Sequence, residues 1–208
     1  MNRHSIRLRD YDYSQEGAYF VTICTQNKEC LFGVVADGLM VVNNAGRMVE
    51  TTWDELSQNY SGVDVDAFVV MPNHIHGIVF LTVGVGPCAY PTALKEISNP
   101  AGQPQGVAPT MSLPEVVHRF KSLTTTLYRR DFSADGRPRV PGRLWQRNYY
   151  DHIIRHDESL NRIREYISTN PLRWNLDREN PQHTGEDEFD HWLSAFKSYP
   201  HQTHVMER

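Results

Sequence analysis

The chain has 208 residues, with 21 Lys and Arg against 25 Asp and Glu, and 39% of its residues are apolar. These values predict one compact domain with its own core and exclude a disordered chain, which would hold fewer aromatic residues than the 11% found here. No apolar run approaches the roughly 20 residues of a membrane span, and the first residues lack the apolar stretch of a secretory signal. We therefore expect a cytoplasmic protein with no membrane partner.

The first half of the chain alternates extended and helical patterns. Residues 18–27 are rich in β-branched and aromatic side chains, which predicts a strand, and residues 30–35 predict a second one. Apolar residues at steps of three and four predict a helix over 43–60. Two apolar runs within 66–83 are separated by one Pro-Asn pair, which predicts two adjacent antiparallel strands.

The second half begins with a segment rich in proline and glycine. Residues 84–112 hold five of the 12 prolines, which predicts a mobile insertion. Residues 112–130 predict a helix opened by a Ser-x-x-Glu capping box, and residues 143–155 have an extended pattern. A last helix is predicted to start with Asp157 as its N-cap and to stop at Pro171.

Charge and pattern divide the chain into a main domain, 1–174, and an acidic tail, 175–208, with one short helical pattern. Residues 113–155 hold nine basic and four acidic side chains, whereas residues 177–208 hold three basic and seven acidic ones. This asymmetry points mildly to a polyanionic partner, although a solvated basic face is the simpler interpretation of charge alone. Helices interleaved with mostly antiparallel strands predict an α+β two-layer sandwich.

A His-Ile-His motif opens the second of the two adjacent strands. His74 and His76 are two residues apart, so a strand puts both imidazoles on one face. Two imidazoles in an apolar strand need polar partners, and one divalent metal ion satisfies both. The alternative is a pair of hydrogen-bonded or half-exposed histidines, and the motif alone leaves both interpretations open.

A metal site needs further ligands, and the sequence offers several. The candidates are an amide or carboxylate on a helix and the side chains of His152, His118 and Asp151. A thiolate-rich zinc site is not expected, because no cysteine has a ligand-like spacing to the histidine pair. A nucleotide hydrolase with three alternating histidines is not matched, because the third position is Ile78.

The last predicted helix carries a tyrosine and an amide one turn apart. Tyr166 and Asn170 are four residues apart, and Arg162 lies on the same side of the helix. The neighbouring apolar stripe would leave the phenol partly buried and directed toward the sheet. Taken alone, the pair is more simply a boundary tyrosine and a helix-ending asparagine.

Five segments of the chain, in order, resemble one family. They are residues 5–33, 69–80, 118–128, 144–155 and 160–174. Together with the His-Ile-His motif and the downstream Tyr166 and Asn170, they resemble the single-tyrosine transposases with a His-hydrophobic-His motif. The closer resemblance is to the REP-associated tyrosine transposases of that superfamily.

The resemblance implies a ferredoxin-like sandwich, with a central antiparallel sheet and helices on one or both faces. It implies that Tyr166 is the nucleophile and that His74, His76 and Asn170 hold Mg²⁺ or Mn²⁺. The implied activity is cleavage and transfer of single-stranded hairpin DNA through a covalent 5′-phosphotyrosine. The implied oligomeric state is a monomer or a homodimer.

Basic side chains are the expected contacts to the DNA backbone: Arg3, Arg7, Arg9, Lys121, Arg143, Arg147 and Arg162. Tyr149 and Tyr150 rank below Tyr166 as nucleophiles, because neither has a polar partner one turn away. Two other functions are compatible with the residues. One is a hairpin-binding protein of the same fold with little or no cleavage activity, and the other is a hydrolase of small phosphodiesters that uses only the histidine pair.

Overall fold

The computed structural model describes residues 11–82, 111–132 and 142–197. The three N-terminal arginines and nearly all of the predicted 84–112 insertion lie outside the described residues, as does the end of the tail. The strands are β1 Gly17–Cys24, β2 Gly33–Ala36, β3 Leu39–Val42, β4 Val63–Val70, β5 His74–Leu81 and β6 Tyr150–Ile154. The helices are α1 Asn44–Asp54, α2 Leu56–Asn59, α3 Leu113–Phe132, α4 Asp157–Thr169 and α5 Glu188–Lys197.

Four strands form one antiparallel sheet in the order β4-β5-β1-β6. The segment that connects β1 to β4 contains the short strands β2 and β3 followed by the helices α1 and α2. β4 and β5 are adjacent in the chain, and α3 lies between β5 and β6. This β-α-β-β-α-β succession, with β1 and β5 in the centre, is the ferredoxin-like arrangement. The predicted fold class is therefore confirmed.

Helices cover both faces of the sheet, and alternate residues of the central strands separate two cores. Tyr19 and Val21 of β1 join the larger core with α1 and α3, whereas Phe20 joins a second core with α4 and α5. Within the first core, Gly77 of β5 leaves room for the indole of Trp53, because a Cβ there would lie 2.4 Å from Cζ2 of that ring. Trp53 in turn stacks on Phe68 of β4, with ring centroids 4.6 Å apart.

Several predictions for individual elements are confirmed, whereas the bounds of two predicted helices differ from those observed. β4 and β5 form the predicted antiparallel pair, and the capping box opens α3, since the carboxylate of Glu115 accepts from the backbone N–H of Ser112 at 2.8 Å. The helix predicted over 43–60 divides at Glu55 into α1 and α2. Asp157 is not the N-cap of α4: the helix includes it, and His156 occupies the cap position.

The pairing of β2 with β3 is a feature that the patterns did not predict. The two strands form a separate hairpin whose turn, Asp37-Gly38, has positive φ at both residues. Outward-facing side chains of this hairpin, among them Val34 and Leu39, are exposed. Within the part of the chain that the structure describes, no helix is both long and apolar enough to cross a membrane.

Candidate metal and tyrosine site

The two histidines lie at the start of β5, on the sheet face that packs against α4. His74 is fully buried and His76 is 3% exposed, whereas Ile75 between them belongs to the opposite core. The Nε2 atoms of the two imidazoles are 3.0 Å apart. The predicted shared face is therefore observed, and both rings direct Nε2 toward the same point.

Hydrogen bonds at Nδ1 fix this orientation of the two rings. The amide nitrogen of Asn73 donates to the backbone carbonyls of Lys28 and Glu179, which leaves its Oδ1 as the acceptor. That Oδ1 lies 2.8 Å from Nδ1 of His74, so Nδ1 carries the proton and Nε2 presents a lone pair. Nδ1 of His76 forms a hydrogen bond with the hydroxyl of Thr22 at 2.9 Å, and that hydroxyl can donate or accept. Partners of this kind orient and tune histidines that bind metal ions.

Asp177 completes a cluster that could hold a metal ion. Its Oδ2 lies 3.4 Å from Nε2 of His74 and 3.8 Å from Nε2 of His76, and its side chain is buried. The loop that carries it is tightly fixed, because Asp177 N–H bonds to the carbonyl of Arg173 and its Oδ1 accepts from the N–H of Glu179 at 2.7 Å.

Asp177 was not predicted as a site residue, because it lies in the segment assigned to the acidic tail. No periodic pattern marks it. The one available signal was its distance of seven residues from Asn170, beyond a Pro-containing turn that reverses the chain toward the sheet.

Asn170 follows α4 and lies in contact with the same carboxylate. Its Nδ2 donates to Oδ2 of Asp177 at 3.1 Å. Its Oδ1 is buried and has no hydrogen-bond partner among the described residues. A buried amide oxygen without a partner is costly. Rotation of the amide by 180° would turn this oxygen toward Oδ2 of Asp177 and the space between the cluster atoms.

Tyr166 of α4 projects into the cluster from the other side. Its hydroxyl lies 3.3 Å from Nε2 of His76, and its ring centroid is 5.2 Å from that imidazole. The side chain is only 5% exposed. The helix therefore brings the phenol and the histidine pair together, an arrangement that the family resemblance, and not the spacing of Tyr166 and Asn170 alone, led us to expect.

The tail covers this site. The ring of Phe189 in α5 stacks on Tyr166 at 3.7 Å, with an interplanar angle of 8°. The segment between the site and α5 is held to the sheet by Glu179, which forms an ion pair with Lys28 at 3.3 Å and accepts from the thiol of Cys24. The tail therefore covers one face of the Tyr166 ring.

Burial and charge set the protonation of the cluster. Burial would raise the pKa of the Asp177 carboxyl, but His74 and His76 outweigh it and hold the pKa well below its ordinary value. Burial, with a contribution from His74, lowers the pKa of His76 to about 4. Burial and the nearby Asp177 carboxylate raise the pKa of Tyr166 well above its ordinary value. The site thus combines the Asp177 carboxylate, the neutral imidazole of His76 and a neutral phenol with the ring of His74, and carboxylate and imidazole groups are donors for a divalent cation.

The other candidate ligands lie elsewhere. Asp151 accepts from the hydroxyl of Tyr13 at 2.7 Å, and His152 packs against the ring of Trp192. His118 lines a surface groove along α3. None of the three joins the cluster of His74, His76 and Asp177.

Four of the basic residues that were predicted to contact DNA lie among the described residues, and they are found in three different places. Arg143 and Arg147 line an exposed polar groove beyond the end of β1. The ammonium group of Lys121 donates to the backbone carbonyls of residues 146–148. The guanidinium of Arg162 lies 4.8 Å from the ring centroid of Trp192 in the tail.

Comparison with known proteins gives three findings. The model of the family described as "Transposase IS200 like" matches residues 106–170. A Haemophilus influenzae protein described as uncharacterized is 39% identical over 178 residues, which cover 85% of this chain and 92% of that protein. A solved structure described as a REP-associated tyrosine transposase bound to a REP hairpin is 16% identical, with a TM-score of 0.49, and the match covers 83% of this chain and 74% of that one.

Proposed function

The chain belongs to the IS200-like transposase family, and from this premise we propose that it is a metal-dependent endonuclease and strand transferase for single-stranded DNA. Its proposed substrate is a REP-type hairpin, and its proposed intermediate is a covalent 5′-phosphotyrosine at Tyr166. The observation that carries the proposal is the position of the Tyr166 hydroxyl, 3.3 Å from a histidine of the buried His-His-Asp cluster.

The donor set fits a divalent cation. For Mg²⁺, with bonds of about 2.1 Å, neighbouring octahedral ligands lie about 3.0 Å apart, and the slightly longer bonds of Mn²⁺ allow slightly more. The two Nε2 atoms are 3.0 Å apart, which matches this spacing, whereas Oδ2 of Asp177 lies 3.4 and 3.8 Å from them, so the carboxylate would move closer when an ion binds. We assign His74, His76 and Asp177 as ligands of Mg²⁺ or Mn²⁺. When bound, such an ion would polarise the phosphate and stabilise the charge that develops on it.

Asn170 keeps its predicted role as a ligand in this proposal. Its two amide atoms exchange places when the group rotates by 180° about the last side-chain bond. Rotation without a cation would set Oδ1 against the carboxylate of Asp177, so the orientation with Nδ2 on Asp177 is expected for the metal-free protein. A bound cation would favour the other orientation, in which Oδ1 faces the ion.

The reaction proposed for these residues is an in-line displacement at phosphorus. The oxygen of Tyr166 forms a bond to the phosphorus atom, and the bond from phosphorus to the 3′ oxygen breaks. Tyr166 loses its hydroxyl proton and the departing 3′ oxygen gains one, so a free 3′-hydroxyl and a 5′-phosphotyrosine result. Attack by a 3′-hydroxyl on the phosphotyrosine reverses these steps and joins two strands.

The burial of Tyr166 beneath Phe189 favours a second candidate function, in which the protein binds hairpins and cleaves them little or not at all. The two candidates differ in one product. In the first, DNA becomes covalently attached to Tyr166, whereas in the second the complex remains noncovalent.

The test is a denaturing gel of the full chain incubated with Mn²⁺ and labelled single-stranded hairpins from the repeats that flank its own gene. We expect label attached to the protein, its loss in Tyr166→Phe and in a chelated sample, and its retention in the matched variant Tyr60→Phe. Equal covalent product from Tyr166→Phe would refute the assignment of the nucleophile. A shifted native complex without covalent product from the unaltered chain would establish the binding function instead.

A further inference from the structure

Arg178 directly follows the proposed ligand Asp177, and the backbone around it is tightly fixed. Oδ1 of Asp177 accepts from the N–H of Glu179 at 2.7 Å, and its carbonyl accepts from the N–H of Asn180 at 2.9 Å. The ammonium group of Lys28 donates to the carbonyl of Arg178 itself at 3.0 Å. The chain therefore holds this arginine beside the cluster before any ligand binds.

The guanidinium group of Arg178 is oriented through one of its three nitrogens. Nε donates to Oε1 of Glu179 at 3.2 Å, and the other oxygen of that carboxylate pairs with Lys28 at 3.3 Å. The central carbon of the group lies 5.3 Å from the ring centroid of Tyr150. Among the described residues, the two outer nitrogens form no hydrogen bond. An outer edge of this kind is the fork with which arginine binds two oxygens of a phosphate.

This outer edge faces the segment that covers the tyrosine. Nη1 lies 3.5 Å from Oδ1 of Asp190, and the residue before Asp190 is Phe189, whose ring stacks on Tyr166 at 3.7 Å. Arg178 thus reaches from the loop of the proposed ligand to the side of the site where Tyr166 lies. Its charge also acts on the phenol, because burial and nearby carboxylates raise the pKa of Tyr166 whereas Arg178 opposes them.

Two other arginines near the tail are engaged elsewhere. Arg173 pairs with the buried carboxylate of Asp187 at 3.2 Å, and Arg162 lies 4.8 Å from the ring centroid of Trp192. A phosphodiester at the cluster would bring a further negative charge next to buried carboxylates, which is unfavourable without a compensating cation. Besides a metal ion, Arg178 is the basic group in the described part of the chain whose outer edge is placed to supply that charge.

We propose that Arg178 is a catalytic residue whose outer guanidinium edge contacts the non-bridging oxygens of the phosphate that Tyr166 attacks. The ion pair with Asp190, at 3.5 Å, would give way to these shorter charge-assisted bonds. The guanidinium keeps all of its protons, and the bonds that form and break are those of the displacement described above. A donor fixed in advance in this way stabilises the charge of the transition state. The inference rests on the proposed function, which supplies the substrate and the displacement.

The single-turnover rate of covalent product formation by the full chain with Mn²⁺ tests this contact. Arg178→Gln removes the charge and should slow the reaction about 100-fold, the lower end of the effect of one lost oxyanion donor. Arg178→Lys keeps the charge without the planar fork, so its rate should lie between the two. Arg47→Gln, a change of an exposed arginine on α1, should react at the unaltered rate. Mn²⁺ should raise the Tm of Arg178→Gln as much as that of the unaltered chain, because this side chain is not a proposed ligand.

A methylphosphonate at the cleaved linkage separates contact with the phosphate from a merely structural role. A methyl group replaces one non-bridging oxygen, so the linkage lacks the charge with which Arg178 would pair. The unaltered chain and Arg178→Gln should then react at nearly equal rates, because the two changes remove the same interaction. An equal loss with both linkages indicates a structural defect and overturns the inference, as does an unchanged rate of Arg178→Gln with the phosphodiester.

Binding decides the case in which no covalent product forms. In the full chain with Tyr166→Phe and Mn²⁺, a single methylphosphonate is moved one linkage at a time along the unpaired strand of a labelled hairpin. We expect one linkage whose neutralisation weakens binding about tenfold in this chain but not in its Arg178→Gln derivative. That result without covalent product removes the enzyme and keeps the contact, whereas covalent product with no such linkage does the reverse. A chain that binds none of the hairpins contradicts both.

Discussion

Replacing Asp177 by asparagine removes one negative charge from the cluster and keeps the volume of the side chain. The asparagine can still accept the backbone N–H of Glu179, which in the native loop bonds to Oδ1 at 2.7 Å. The change therefore tests the charge next to His74 and His76 with little change in the loop. It also separates Asp177, which the structure adds to the site, from the ligand set that the family resemblance implies.

The expected loss of metal affinity follows from the position of the carboxylate. Asp177 is the carboxylate next to both imidazoles, with its Oδ2 3.4 and 3.8 Å from their Nε2 atoms, so an ion held by the proposed site would contact it. Loss of a partner that merely supports a ligand costs about 10–100-fold in metal affinity. Asp177 would itself bind the ion, so we expect a loss of at least about 100-fold, or about 2.7 kcal/mol.

Thermal unfolding with added Mn²⁺ measures this loss without DNA. At a concentration about 100 times its dissociation constant, the ion stabilises the native chain by about 2.7 kcal/mol. For a chain of this size that raises Tm by roughly 5–10 °C. Asp177→Asn should show almost none of this increase at the same concentration, and calorimetric titration should give the matching weaker affinity. Asp187→Asn, a buried aspartate of the same tail, serves as the matched control.

An Asp177→Asn protein whose Tm rises with Mn²⁺ as much as that of the unaltered chain would refute this reasoning. Asn170→Ala then decides between the two remaining possibilities. If Asn170→Ala alone abolishes the increase, the ion is held by His74, His76 and Asn170, as the resemblance implies. If both variants lose it, all four side chains contribute.

Three further predictions concern Phe189, which packs over Tyr166, the core around Gly77, and the buried His152. Phe189→Ala should uncover Tyr166 and increase covalent product on the denaturing gel, while removal of the buried ring lowers stability by up to about 3–5 kcal/mol. Gly77→Ala should cost about 1–3 kcal/mol in chemical denaturation, because its Cβ would lie 2.4 Å from Trp53. Burial lowers the pKa of His152 from 6.5 to about 4. As the pH falls from 6.5 toward 4, the unfolded chain therefore binds a proton at this histidine before the folded chain does, and the free energy of unfolding decreases. The variant His152→Gln should show a smaller decrease over the same pH range.

The sequence predicted several, but not all, of the features that local patterns determine. The capping box at Ser112 and the adjacent strands β4 and β5 depend on residues close together in the chain. The β2–β3 hairpin was also marked locally, since an Asp-Gly pair is typical of a two-residue turn with positive φ at both positions. It escaped prediction because its outward-facing valines do not alternate with polar residues.

The candidate site divides in the same way between local and distant determinants. His74 and His76 share a face because a strand has a period of two, and Tyr166 precedes Asn170 by one helical turn. Each relation follows from spacing within one element, which is why the sequence contained it. Asp177 belongs to no element, and only the turns after α4 bring its carboxylate to the sheet.

The tail therefore has two opposing relations to the site. Asp177 supplies a charged donor to the histidine pair, whereas Phe189 of the same segment closes over Tyr166. Removing the tail would uncover the phenol and would also remove a proposed ligand of the metal ion. To uncover Tyr166 without losing Asp177 from the cluster, α5 would have to move while the loop around Asp177 stays in place. The bonds of Glu179 to Lys28 and Cys24 hold the chain to the sheet between these two points, so they mark where the fixed part ends.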